Sequence, residues 1–151
     1  MATETTAKQT VQQALNLQVA NWSVLYTKLH HYHWYVKGSH FYTLHAKFEE
    51  LYDAAADYVD ELAERLLALN GEPASTMREQ LNVATIKEAA GGETAEEMVT
   101  QLIRDFKQMS KELSAAIEAA DSEGDQPSAD MFTGIQASVE KHIWMLAAFV
   151  G

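Results

Sequence analysis

At 151 residues the chain has the length of one domain with a real hydrophobic core, and 47% apolar residues with a mean hydropathy of −0.24 exclude a disordered or membrane-spanning chain. A net charge of −11 argues against a nucleic-acid binder, whose affinity normally rests on a basic surface. It fits a solvated acidic surface or a protein that attracts cations. The absence of cysteine excludes disulfides, thiolate catalysis and Cys-type zinc sites, and Met1 to Thr10 contains no apolar signal-peptide core, so the expectation is a cytoplasmic protein.

Glycine and proline divide the chain into four long helical stretches and one short one. The first runs from about Lys8 to Lys37 and stops at Gly38. The second runs from about His40 to Asn70, with Ser39 as N-cap and Gly71 and Pro73 as the stop. A short piece follows between Ser75 and Leu81. The third long helix opens at Thr94, where Thr94 and Glu97 form a capping-box pattern, and closes near Ser122–Gly124. The fourth starts around Pro127 and reaches Phe149. No stretch alternates with a period of two. The expectation is an all-α, antiparallel four-helix bundle, one domain over residues 1–151.

Potential metal ligands follow one another as His33, eleven residues, His45, three residues, Glu49, ten residues, Asp60, three residues, Glu64. Imidazole and carboxylate together suit a divalent first-row metal such as iron, manganese or zinc. On the second helix, Phe41, Leu44, Phe48, Leu51, Ala55, Leu62, Leu66 and Leu69 form the apolar stripe that packs into the bundle. At about 100° per residue, His45, Glu49, Asp60 and Glu64 form a second stripe roughly 120° away. These ligands therefore do not face the core.

His45 and Asp60 lie about 22 Å apart along a helix rising about 1.5 Å per residue. One chain cannot bring both to one ion, because metal–ligand bonds are only about 2 Å long. His33 can approach His45 if the chain reverses at Gly38, and Asp60 and Glu64 lie one turn apart. Each chain thus offers a histidine half-site and a carboxylate half-site. A twofold axis that packs two copies of this helix antiparallel sets one half-site opposite the other. Tyr42, Ala56 and Leu67 lie on or near the same outer stripe, as a partner-covered face requires. The competing reading is a solvated surface, since Asp and Glu four residues apart are common on exposed helices. Their mutual repulsion opposes the helix, and either nearby Arg65 or a bound cation would relieve it.

The segment His33–Pro73, "HWYVKGSHFYTLHAKFEELYDAAADYVDELAERLLALNGEP", resembles the ferroxidase region of the Dps mini-ferritins, with H-x11-H and D-x3-E at His33, His45, Asp60 and Glu64. "QVANW" at Gln18–Trp22 and "KHIWML" at Lys141–Leu146 extend the resemblance over nearly the whole chain. It implies a ferritin-like subunit with a short helix in the crossover connection, twelve of which enclose a cavity. Such shells oxidise Fe(II) across the dimer twofold, preferentially with hydrogen peroxide, and store the ferric product, protecting against oxidative damage. By position, His33 and His45 would bind iron from one subunit, and Asp60 and Glu64 from its partner. Glu49 stands where the family often has Asp, either as a direct ligand or acting through water. The Glu-x-x-His of intra-bundle di-iron sites is absent.

Resemblance also sets the acidic run Asp121, Glu123, Asp125 and Asp130 around an entry pore, with Asp125 and Asp130 favoured and Asp121 the weaker candidate. On the residues alone this run is a solvated turn in which Asp125 or Ser128 assists a helix start. Trp34, Tyr35, Tyr42 and Tyr52 either intercept stray oxidising equivalents or are ordinary interface aromatics. His30, His31 and His40 match no ligand spacing; His30 is a candidate interface hydrogen-bonder, and His142 reads as a satisfied, partly buried histidine. DNA-binding members use basic tails, and with Lys8 the only basic residue before the first helix the expectation is iron chemistry without DNA binding at neutral pH. A DNA-compacting protein of the same fold and a plain structural bundle are the alternatives. A zinc hydrolase lacks a visible nucleophile, base and oxyanion constellation.

Overall fold

The computed structural model describes residues 8–151, so the expectations about a leader and an N-terminal tail fall largely on residues 1–7, outside the described ones. Five helices follow in order: α1 (Val11–Tyr35), α2 (Phe41–Ala68), α3 (Met77–Val83), α4 (Ala95–Ser122) and α5 (Gln126–Val150). No strand occurs among the described residues. Helix α1 packs chiefly on α2 and α4 on α5, while α1 meets α4 and the short α3 leans on α1. The all-α bundle with a short helix in its crossover is the architecture expected.

Local chemistry explains where the helices begin. Thr10 caps α1, taking the Gln13 N–H at 3.1 Å while the Gln13 side chain accepts from the Thr10 N–H at 2.9 Å, so α1 starts three residues after Lys8. Helix α2 is not capped by Ser39. His40 holds the N-cap position without a side-chain hydrogen bond, and the Phe41 N–H goes instead to the Gly38 carbonyl. Gly38 turns the chain at a φ of 107°, a region that favours glycine. Thr76 and Thr94 cap α3 and α4 through the N–H groups of Glu79 and Glu97.

The end of α2 differs from expectation in an instructive way. Asn70, not Gly71, adopts the left-handed conformation, with φ 65°. The Gly71 N–H reaches back to the Leu66 carbonyl and the Asn70 N–H to that of Leu67, each at 2.9 Å, which is a Schellman closure. Gly71 is needed for space: a Cβ there would lie 2.3 Å from Leu66 Cδ1. Leu66 is buried, so it has little room to yield. Gly71→Ala is therefore expected to destabilise the fold by about 1–3 kcal/mol, as overpacking does, whereas Asn70→Gly is expected to be neutral or mildly stabilising. Chemical denaturation of both variants checks this.

The core is built from residues such as Leu15, Leu25, Tyr32, Phe48, Leu62 and Phe106, with α2 contributing the predicted apolar stripe. One charged pair crosses it. Lys28 of α1 and Asp105 of α4 meet at 2.7 Å with side chains 2% and 7% exposed. Lys28 also donates to the Lys87 carbonyl at 2.8 Å, and Gln101 donates to Asp105 at 3.0 Å. No helix is long and apolar enough to cross a membrane among the described residues.

Candidate metal centre

His33 lies in the last turns of α1 and His45 in the second turn of α2, and the reversal around Gly38 lays their rings face to face. The ring centroids are 3.6 Å apart with the planes inclined by 12°. Each Nδ1 is 2.7 Å from the other residue's backbone carbonyl: His33 Nδ1 from His45 O, and His45 Nδ1 from His33 O. A carbonyl only accepts, so both Nδ1 atoms carry hydrogen and donate. In the neutral rings this leaves each Nε2 with its lone pair, the form that binds a metal. The two helices thus orient both imidazoles and select their tautomer before any ion arrives.

The rings are held on other sides as well. Phe41 stacks on His45 at 4.9 Å, and Tyr52 meets His33 edge-on at 5.3 Å. His30 donates from Nδ1 to the Tyr26 carbonyl at 2.9 Å and stacks on Tyr52 at 3.7 Å. That hydrogen bond is internal to α1, so the interface role expected of His30 has no support in it. Tyr52 donates its hydroxyl to Glu49 Oε1 at 3.2 Å. Partial burial, followed by this bond and the charge of Glu49, raises the Tyr52 phenol above its ordinary pKa.

Asp60 and Glu64 lie exposed one turn apart on α2. Arg65 does not relieve their repulsion. It reaches across to Asp125 Oδ1 at 2.7 Å and Ser128 Oγ at 3.0 Å. Among the described residues neither Asp60 nor Glu64 enters a salt bridge. No three His, Asp or Glu side chains of this one chain, among those described, converge to hold an ion. The structure therefore presents a preformed histidine pair and an unpaired acidic pair on one long helix system. Tyr42 and Leu67, near opposite ends of α2, are 85% and 57% exposed, so this outer face is uncovered in the single chain.

The acidic run after α4 is less uniform than its sequence. Asp125 caps α5, its Oδ1 accepting from the Ser128 N–H at 3.1 Å as well as from Arg65, and Oδ2 accepts from the Ser128 hydroxyl at 2.6 Å. Burial alone would raise its pKa, but the bonds from Ser128 and Arg65 outweigh that and lower it. The carboxylate favoured for the pore is thus already engaged as the helix cap. Glu123 accepts from the Val11 N–H at 2.6 Å, and Asp130 from the Gln126 side chain at 2.8 Å while staying exposed. Asp121 is exposed. His142 corrects the expectation of a satisfied ring. Its buried Nδ1 has no hydrogen-bond partner among the described residues, and its ring lies 6.4 Å from that of Phe106. Burial, helped by Lys47 and Lys141 and opposed by Glu50, lowers its pKa and so favours the neutral ring.

The ferritin-like domain family matches residues 12–151. General stress protein 20U of Bacillus subtilis is 57% identical over 139 residues, 92% of this chain and 96% of that one. DNA protection during starvation protein 2 of Bacillus anthracis is 52% identical over 93% of this chain and 96% of its own. That name lends no support to the expectation that DNA is not a partner. The crystal structure of Dps from Staphylococcus aureus superposes with a TM-score of 0.92 at 55% identity, covering 93% of this chain and 95% of that one. Close agreement in sequence, length and backbone leads to one conclusion: this chain belongs to the Dps family of ferritin-like proteins, a family of iron storage and DNA protection.

Proposed function

We propose that the chain, as one ferritin-like domain in a cytoplasmic homo-oligomer, oxidises Fe(II) with hydrogen peroxide at sites shared by two subunits and stores the ferric product in the shell. The observation that carries this reading is the reciprocal His33–His45 lock, which leaves two Nε2 lone pairs aimed away from their own backbone bonds. Iron is the substrate. In this account His33 and His45 of one subunit bind Fe(II), and the carboxylates of Asp60 and Glu64 of the partner subunit complete the site. Two carboxylates offset the dipositive charge of Fe(II) and stabilise the more highly charged Fe(III), so the ligand set favours loss of the electron. Glu49, exposed beside Tyr52, is the candidate ligand of a second, weaker iron.

Two Fe(II) deliver two electrons to one peroxide, which becomes two waters without releasing hydroxyl radical. The acidic surface draws Fe(II) toward the shell. Asp130 and Asp121 are the exposed carboxylates for the pore, with Asp125 contributing charge from within its bond to Arg65. The name of the Bacillus anthracis relative favours a second reading, DNA protection by direct binding. Anaerobic Fe(II) mixed with half an equivalent of peroxide separates the two. The ferroxidase reading expects rapid formation of soluble, protein-bound Fe(III), two per peroxide consumed, and no salt-dependent retardation of duplex DNA. Oxidation no faster than in protein-free buffer, with DNA retarded at low salt, would favour the second reading.

A further inference from the structure

We infer that Phe41 is a positioning residue of the iron site: its ring holds the His45 imidazole in the orientation that binds metal and offsets the positive charge that imidazole then acquires. The inference rests on the ferroxidase reading above. The two histidines are not held alike. His33 is buried, at 7% exposure, with Tyr52 edge-on to its ring, whereas His45 is only half-buried. A single hydrogen bond, from His45 Nδ1 to the His33 carbonyl at 2.7 Å, tethers that ring but leaves it able to tilt about the bond.

Two rings remove that freedom. His33 lies 3.6 Å from His45 with the planes inclined by 12°, and Phe41 lies 4.9 Å from it with an inclination of 23°. One imidazole face is too small for both, so they take its two faces and His45 becomes the middle of a three-ring stack. The local sequence explains the contact. Phe41 opens α2 and His45 follows four residues later, a spacing that sets both on one face of the helix. Phe41 is itself fixed by the turn, since its N–H donates to the Gly38 carbonyl at 3.1 Å and its ring packs in part on the core. The reversal that joins the two histidines therefore also delivers the ring that confines one of them.

Charge makes the aromatic character matter. Both Nδ1 atoms donate to carbonyls, so a metal binds at Nε2, and an imidazole bound to a dication gains positive charge. With two such rings stacked at 3.6 Å, that charge is repulsive. An aromatic face attracts positive charge within about 6 Å of its centroid, and Phe41 lies inside that range on the open side of His45. A leucine would fill much of the same space against the core, but it supplies neither the flat wall nor the attraction. Packing alone accepts leucine at this position, and the positioning role does not.

The test uses the assembled protein under anaerobic conditions, with Co(II) as the probe of the histidine site and its visible absorption as the readout. Phe41→Leu is expected to weaken Co(II) binding about tenfold, the lower end of what loss of a group supporting a metal ligand costs. The Fe(II) concentration giving half the maximal rate of peroxide-driven oxidation should rise in parallel, while the rate at saturating Fe(II) stays within about twofold, because the loss lies in binding. Phe41→Tyr keeps the ring and is expected to match wild type in both measurements. Should leucine disturb assembly, Phe41→Met, whose flexible side chain fills irregular space, carries the same comparison. A leucine variant that binds Co(II) as tightly as wild type, or a tyrosine variant as weak as the leucine one, would overturn the inference and leave the ferroxidase reading intact. Co(II) binding that survives His33→Ala/His45→Ala, or no binding by wild type, would remove that reading and this inference with it.

Discussion

Replacing Asp60 and Glu64 together by alanine is expected to slow peroxide-driven Fe(II) oxidation by at least about 100-fold, since loss of even the groups supporting a metal ligand costs about 10–100-fold. The prediction is sharp because the same change should not harm the fold. Both side chains are exposed, neither enters a salt bridge among the described residues, and their neighbour Arg65 is occupied with Asp125. Alanine is the better helix former, and removing two like charges one turn apart relieves a small repulsion. Thermal stability should therefore hold or rise slightly while activity falls. Glu61→Ala, an exposed carboxylate between them that faces elsewhere on α2, is expected to retain the rate. Equal rates in the double variant and wild type would return Asp60 and Glu64 to the solvated surface.

The largest effect on stability is expected from Asp105→Ala. The substitution leaves the Lys28 ammonium in the bundle with, among the described residues, only the Lys87 carbonyl as partner. Removing one member of a buried ion pair typically costs about 3–5 kcal/mol, because the remaining charge stays desolvated. It also frees the Gln101 amide that Asp105 accepts. An apolar replacement of both residues, Lys28→Met with Asp105→Leu, is expected to recover much of that loss or exceed the wild type. Urea denaturation of the single and double variants distinguishes this account from one in which the pair merely marks a tolerant spot. A single variant as stable as wild type would show that Lys28 finds another partner or reaches water.

Much of this was legible in the residues. The stripe from Phe41 to Leu69 specified which face of α2 is buried, and the same periodicity set His45, Asp60 and Glu64 on another face. Rise per residue alone divided the candidate ligands into two groups that one chain cannot bring to one ion. What could not be read is anything that depends on backbone atoms of two elements at once. The exchange of Nδ1 bonds between His33 and His45 needs the carbonyls of both helices in place, and no spacing reveals it. Arg65 is close to Glu64 in sequence, yet its reach to the α5 cap brings Asp125 within 2.7 Å. Lys28 and Asp105 stand on different helices far apart in sequence and carry no local mark of being buried together. At the end of α2, Gly71 is the conspicuous breaker, but Asn70 takes the left-handed turn and Gly71 serves Leu66.

The central claim is that each site takes its histidines from one subunit and its carboxylates from another. Mixing two inactive variants tests it most directly: His33→Ala/His45→Ala and Asp60→Ala/Glu64→Ala, unfolded together at equal amounts and reassembled. Each variant alone lacks one half of every site. In a mixed dimer one site lacks both halves and the other is complete, so random assembly restores about a quarter of the wild-type sites. Recovery of about a quarter of the wild-type Fe(II) oxidation rate is the result this account predicts. Co-assembled shells that remain as inactive as the separate variants would contradict it and confine whatever site exists to a single chain.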